Sequence, residues 1–375
     1  MRAPDSEEEL AEAVRSCPRV LPLGGGTKPA LRRLHTGDQP CADLSLRAWS
    51  GIEDYEPSEF TVTVRSGTSC AELEAELAGR GQYLPFEPLL CAEGATVGGT
   101  VASGLSGPGS LRFGGLRDFL LGVTWIDGSG RKLSAGGRVV KNAAGFDLPR
   151  FFVGSLGRFG LLTRAVFKVF PLPRRRLSFQ VNFASMGEAL ESWTAAARGP
   201  WEFEALEIEC DPARWIGRFA GGERAVEARL QRFRRETGLD AREMSEDAAG
   251  AYWQERRSSG SIAGSGTLVR IPVRPGAIVE WDAEMAKAGL RRSYGNGGHT
   301  AWVAAGPPLG RMLERRGLCG LVLRGKDAGP WFGSEPEGTA VACGLKRALD
   351  AEARFPSWPP PRTGAVIQSG DAAPD

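Results

Sequence analysis

Three stretches of bare backbone lie in the first half of the chain: "LGGGTK" at 23–28, "GATVGGTVASGLSG" at 94–107 and "GSLGRFG" at 154–160. Each has small hydroxyl residues beside its glycines: Thr27 in the first, Thr96, Ser103 and Ser106 in the second, Ser155 and then Thr163 in the third. Glycine lets a backbone approach a ligand closely or turn with positive φ. Consecutive backbone N–H groups form a nest that binds an anion without a helix end, and hydroxyls add short hydrogen bonds. A large flat ligand carrying a diphosphate needs this combination. A glycine-rich all-β domain with many tight turns is the competing reading, because glycine runs punctuate loops.

The two commonest phosphate loops do not fit. A Walker loop ends in Gly-Lys-Ser/Thr, but Gly26 is followed by Thr27. The Rossmann fingerprint needs a third glycine at offset five, and Pro29 stands there. Any phosphate held by Gly24, Gly25, Gly26 and Thr27 is therefore held by another method.

Other chemistries are limited by count. Only two histidines exist, His35 and His299, so a His-rich metal centre is excluded and general bases near neutral pH are scarce. The seven cysteines, at 17, 41, 70, 91, 210, 319 and 343, form no C-x-x-C pair, so no iron–sulfur or zinc motif is present. Their scatter fits reduced thiols in a cytoplasm. The formal net charge of +2 implies no bulk attraction to nucleic acid or membrane. No run approaches the roughly 20 apolar residues of a membrane span, and the acidic start "MRAPDSEEELAEAV" is not a signal peptide.

The elements that must position the glycines follow from periodicity. Ser6 and Glu9 have capping-box spacing and start a helix over 6–16. Strands are expected at 19–23, 42–49 and 60–67, a helix at 70–82, and a hairpin at 119–137 turning on "DGSG". A strand follows within 161–171, and "PLPRRRLS" at 171–178 marks a boundary. Beyond it, strand, helix, strand, strand and helix follow over 177–238. Strand, helix and strand come again over 267–306, and a helix runs over 339–355. The fold class is α+β, divided as 1–173, a smaller unit over 174–330, a helical return segment over 331–355 and a disordered polar tail over 356–375.

The segments "EDYEPSEFTVTVRSGTSCAELEAELAGRGQYLPFEP", "EGATVGGTVASGLSGPGSLRFGGLRDFLLGV" and "KNAAGFDLPRFFVGSLGRFGLLTRAVFKVFPLP" resemble, in that order, the FAD-binding domain of the vanillyl-alcohol oxidase superfamily, also called the PCMH type. The narrower series "LSGP", "LRDFLLGV" and "VVKNAAGFDLPRFFVGSLG" is similar to the family of glycolate oxidase E subunits. The resemblance covers about residues 1–173 and implies a two-part FAD-binding domain followed by a cap domain.

It also implies a site. Gly24, Gly25, Gly26 and Thr27 would cradle the FAD diphosphate. Thr96, Val97, Gly98, Gly99 and Ala102, continued by Ser103, Gly104 and Gly107, would line the diphosphate and the isoalloxazine. Gly145, Asp147, Gly154, Ser155, Gly157, Gly160 and Leu161 would hold the adenosine half. His35 has no context for covalent flavin attachment, so FAD is expected to be non-covalent. Lys141 or Arg112 would face the flavin edge, or else pair with Asp118 or Asp147. "LKRALDAEARFPSWPPP" matches the superfamily's closing motif at Leu345, Lys346, Asp350 and Phe355.

No histidine cluster matches the family's catalytic subunit, and His299 reads as a turn residue. The resemblance thus implies an FAD-binding electron-transfer subunit of a 2-hydroxy acid oxidising complex. Its partners would be a catalytic flavoprotein and an iron–sulfur subunit, with membrane association only through partners. Two alternatives stay open at this point: a self-sufficient FAD-linked oxidase, and an assembly subunit without flavin.

Overall fold

Val62 and Val64 alternate with more exposed residues along Thr61–Arg65, which turns both valines onto one buried face. That strand is the second of a five-stranded antiparallel sheet. The order runs Ile52–Glu56, Thr61–Arg65, Leu161–Lys168, Leu120–Ile126 and Lys132–Gly136. Helix Cys70–Gly79 is capped by Ser69, whose Oγ accepts from Glu72 N. Its Leu73 and Leu77 join the valines, Phe86, Phe119 and Phe167 in one core. The computed structural model describes residues 3–32, 41–137, 147–196, 199–258, 266–325, 329–358 and 362–363.

A smaller layer precedes this sheet. Ser6 caps helix Glu7–Ser16 through Glu9 N, as its spacing predicts. Strands Val20–Leu23 and Ala42–Ser45 pair in parallel beside it. Leu10, Val14, Val20 and Leu44 close a core with Phe355 from the far end of the chain.

The rest of the chain builds one ten-stranded sheet, antiparallel except at its last pair. Its centre is a repeat. Strand Arg175–Asn182, helix Met186–Ala196, strands Ala205–Cys210 and Ala213–Gly221, and helix Glu223–Thr237 form one unit. Strand Thr267–Pro272, helix Ile278–Lys287, strands Arg292–Gly295 and Thr300–Ala305, and helix Pro307–Arg315 form the second, in the same order. In both, the first strand pairs with the third and the third with the second. The units join edge to edge where Ile208 faces Tyr294 and Glu209 faces Ser293. The helices cover one face of this sheet over a core containing Phe179, Trp215, Val269 and Ile271. The other face meets the five-stranded unit through Leu268 and Leu323, which touch the cluster of Leu89, Leu90 and Leu105. Trp331–Gly333 extends this sheet, and helix Thr339–Leu349 then returns to the first unit: Gly128 N donates to Leu349 O at 3.0 Å.

Elements outside the sequence expectation include strand Ile52–Glu56, helix Glu246–Arg257, helix Pro307–Arg315, strand Cys319–Arg324 and strand Trp331–Gly333, the last within the segment expected to be helical. A further difference bears on the site. The second glycine cluster contains a helix, Val97–Ser103, with Thr96 as its cap. Two adjacent glycines weaken a helix by roughly 1 kcal/mol each. Burial of Val97 and Val101 in the core and the left-handed Gly104 at its end, φ 65°, offset that cost.

Candidate functional site

The three glycine clusters, far apart in sequence, converge on one cleft of about 800 Å3, a volume that includes the open space at its mouth. Its floor is Gly24–Thr27, helix residues Gly98, Gly99, Ala102 and Ser103, and Gly157 with Gly160. The volume is within the range of small-molecule sites. Strand Val20–Leu23 delivers the first cluster, and its backbone packs against the second. A Cβ on Gly25 would sit 1.9 Å from Gly94 O, and one on Gly24 would sit 2.1 Å from Thr96 Oγ1. These two glycines therefore serve the packing of one loop on another. Gly26 differs: it has φ 72° and open space where a Cβ would be.

The donors divide in the same way. At the helix start, Val97 N donates to Thr68 O, Gly98 N to Ser66 O, and Gly99 N to Thr96 Oγ1. Those amides are already satisfied by protein. The amides of Gly24, Gly25, Gly26 and Thr27 donate to no protein group among the described residues. Beside them stands Lys28, only 8% exposed. Its Nζ donates to Thr27 Oγ1 at 3.2 Å. Burial holds its pKa below the usual lysine range, countered in part by Cys70, Cys91 and Glu93 nearby. A buried ammonium next to four unpaired amides is an anion cradle. Sequence reasoning missed Lys28, although the lysine directly after "GGGT" was the available signal.

Gly24, Gly25, Gly26, Thr27, Thr96, Gly98, Gly99, Ala102, Ser103, Gly157 and Gly160 line the cleft. The other expected residues do not. Val97 and Leu161 are core side chains. Gly104 and Gly154 pack on each other, with 3.1 Å from a Gly104 Cβ position to Gly154 N. Ser155 is buried, and Leu156 N beside it donates to Ala102 O, which ties the third cluster to the helix. Asp147 caps helix Leu148–Phe152 by accepting from Arg150 N. Gly145, Lys141 and His35 lie outside the described residues. Arg112 does not face the cleft: its guanidinium donates to Ala220 O and pairs with Glu202. His299 is exposed, and its backbone closes a turn with Asn296. The closing motif is engaged, since Lys346 Nζ donates to Arg158 O, Asp350 Oδ2 and Phe355 O. It thereby braces the loop carrying Gly157.

A second cavity of about 710 Å3 lies where the ten-stranded sheet faces the first unit. The chain reaches it directly from the cleft, because Ser103 lines one and Ser106 and Gly107 the other. Glu207 lines it as a buried ion pair with Arg256 at 3.0 Å. Burial pushes the Glu207 carboxyl up, against the pull of Arg256.

Comparison with known proteins then decides the lineage. A family model described as "FAD binding domain" matches residues 1–136. Glycolate oxidase subunit GlcE of Escherichia coli is 39% identical over 67% of this chain and 67% of its own length. The chain belongs to the PCMH-type FAD-binding family. Glycolate oxidase subunit GlcD of Bacillus subtilis is 26% identical over 55% of this chain, and the match spans 44% of that protein. The fold is similar to that of an alkyldihydroxyacetonephosphate synthase, with a TM-score of 0.69 and 14% identity over 94% of this chain and 74% of that one. By membership the chain is an FAD-dependent oxidoreductase, and its cofactor is FAD. The residues present fit that cofactor: the open amides and Lys28 suit a diphosphate, and the adjoining glycine-floored cleft has room for flat rings.

Proposed function

We propose that this chain is the FAD-binding subunit of a glycolate oxidase complex and holds its flavin non-covalently. The amides of Gly24–Thr27 and the Lys28 ammonium bind the diphosphate. Gly98, Gly99 and Ala102 form the wall on which the ring system lies, and Gly157 and Gly160 border the nucleoside. The observation that carries this reading is the convergence of all three glycine clusters on one cleft whose free donors are gathered at Gly24–Lys28.

When bound, FAD supplies a two-electron acceptor. The chain's own residues position it and exclude water. They offer little for taking the proton of a substrate hydroxyl, since no histidine among the described residues lines either cavity and Glu207 is paired with Arg256. That supports a role beside a catalytic flavoprotein subunit, with electrons leaving through an iron–sulfur subunit, because this chain has no C-x-x-C motif of its own. The 39% identity to GlcE supports the same assignment.

The test is the visible spectrum of the purified chain, before and after acid precipitation, and with glycolate. Flavin absorbance that moves to the supernatant and does not bleach with glycolate is expected. Bleaching by the isolated chain would make it catalytic alone. A colourless chain that takes up no FAD would overturn the assignment of the cleft.

A further inference from the structure

The face of the ten-stranded sheet that meets the flavin-binding unit carries Arg176, Arg218 and Arg270, and helix Glu246–Arg257 adds Arg256, each guanidinium with different surroundings. Arg176 and Arg218 pair with Glu204 and reach Glu87. Arg256 pairs with Glu207. Arg270 has no hydrogen-bond or ion-pair partner among the described residues.

Its position follows from strand alternation. Val269 and Ile271 enter the helix-covered core, so Leu268 and Arg270 point the other way, toward the flavin-binding unit. Leu268 touches that unit's leucine cluster. Across the ladder Arg270 is flanked by Trp302 and Leu321, and its side chain lines the second cavity. Burial depresses its basicity, and no carboxylate among the described residues restores it. The one acidic group among the described lining residues, Glu207, is already held by Arg256 and by Asn296 N at 3.4 Å. Asn296 adds a buried Oδ1 without a partner and sits at φ 53°, a conformation that costs a non-glycine residue energy. Arg270 is half-buried, so its guanidinium stands at the cavity with no counter-charge among the described residues, and a planar guanidinium is suited to bidentate carboxylate recognition.

We infer that the second cavity is a binding site for a small monocarboxylate, whose carboxylate sits on Arg270 against Trp302 and whose polar substituent meets Asn296. This rests on the proposed function for the ligand's class, a 2-hydroxy acid or its 2-oxo product. The anion site itself rests on Arg270 and the cavity. The chain is thus a receptor for the small acid as well as a carrier of flavin.

The test uses the full FAD-loaded chain. Glycolate, acetate and the neutral isostere glycolamide are titrated by calorimetry and by flavin difference spectra, on wild type, Arg270→Gln and Arg270→Lys. Saturable binding of glycolate and acetate is expected, with glycolamide at least tenfold weaker. Arg270→Gln raises the Kd for both acids tenfold or more while flavin content stays unchanged, and Arg270→Lys falls between. Equal binding by Arg270→Gln, equal affinity for glycolamide, or no acid binding by wild type overturns the inference. Arg270-dependent acid binding in a reconstituted complex that leaves glycolate unoxidised would support this site and sink the glycolate oxidase assignment. Oxidation unaffected by Arg270→Gln would do the reverse.

Discussion

Glu87 and Arg218 meet across the boundary between the flavin-binding unit and the ten-stranded sheet, both buried and 2.7 Å apart. The same carboxylate oxygen accepts from Gly109 N at 2.8 Å, and the Arg218 Nε lies 2.6 Å from Glu204. One carboxylate therefore fixes both the turn after Gly107 and the sheet above it. Glu87→Ala is expected to destabilise the protein by roughly 1–3 kcal/mol. That is less than the 3–5 kcal/mol of an isolated buried pair, because Glu204 still neutralises Arg218. Urea denaturation compares the variants. An unchanged midpoint would show that the contact is incidental.

The same pair sets an acid limit. Burial pushes the Glu87 carboxyl up, but Arg218 and Arg176 outweigh it and hold it below the ordinary glutamate range. A depressed folded value means the contribution is fully present above the unfolded pKa of about 4.3 and is lost as pH falls through the folded one. Wild type should lose its advantage over Glu87→Gln between about pH 4 and lower values and keep it at neutral pH. A constant difference across that window would contradict the assignment.

Lys28 should govern flavin retention. A charge-assisted hydrogen bond contributes about 1.5–3 kcal/mol, so Lys28→Met is expected to raise the Kd for FAD roughly tenfold to a hundredfold. Fluorescence titration of the apoprotein measures it, with melting in the absence of FAD as the folding control. No change would place the diphosphate away from the Gly24–Lys28 loop.

Two neighbouring glycines should respond differently to alanine. At Gly25 the new Cβ would meet Gly94 O at 1.9 Å, and relieving it moves backbone, at roughly 1–3 kcal/mol or more. At Gly26 there is open space, leaving the left-handed strain of about 1–2 kcal/mol. Gly25→Ala should lower Tm further and take FAD content with it, whereas Gly26→Ala folds but binds FAD more weakly. Equal effects in thermal melts would argue against the contact.

Local signals carried most of the architecture. The Ser6 cap, the "DGSG" hairpin and the alternation of Thr61–Arg65 are near-neighbour effects, and each element stands where its spacing puts it. Helix Val97–Ser103 was illegible because its glycines oppose it locally and its stability comes from distant core partners. Helix Glu246–Arg257 turns only Tyr252 and Trp253 inward, too sparse an apolar face to declare itself. At the site, the glycine clusters were readable, but the division of labour among them was not. Which amides remain open at Gly24–Thr27, and which are consumed at Val97 and Gly98, depends on carbonyls contributed by Ser66 and Thr68. The isolation of Arg270 likewise needs the whole surrounding sheet to be seen.

The repeat in the ten-stranded sheet gives its two copies different fates. Each turns an arginine toward the flavin-binding unit from its first–third strand pair: Arg218 opposite Ser178 in one copy, Arg270 opposite Trp302 in the other. The first is locked into Glu87 and Glu204; the second is uncommitted. The clasp and the uncommitted arginine thus lie in separate copies of one structural pattern. Substitutions around Arg270 would therefore leave the clasp between the two units intact, because that clasp is built from the other copy.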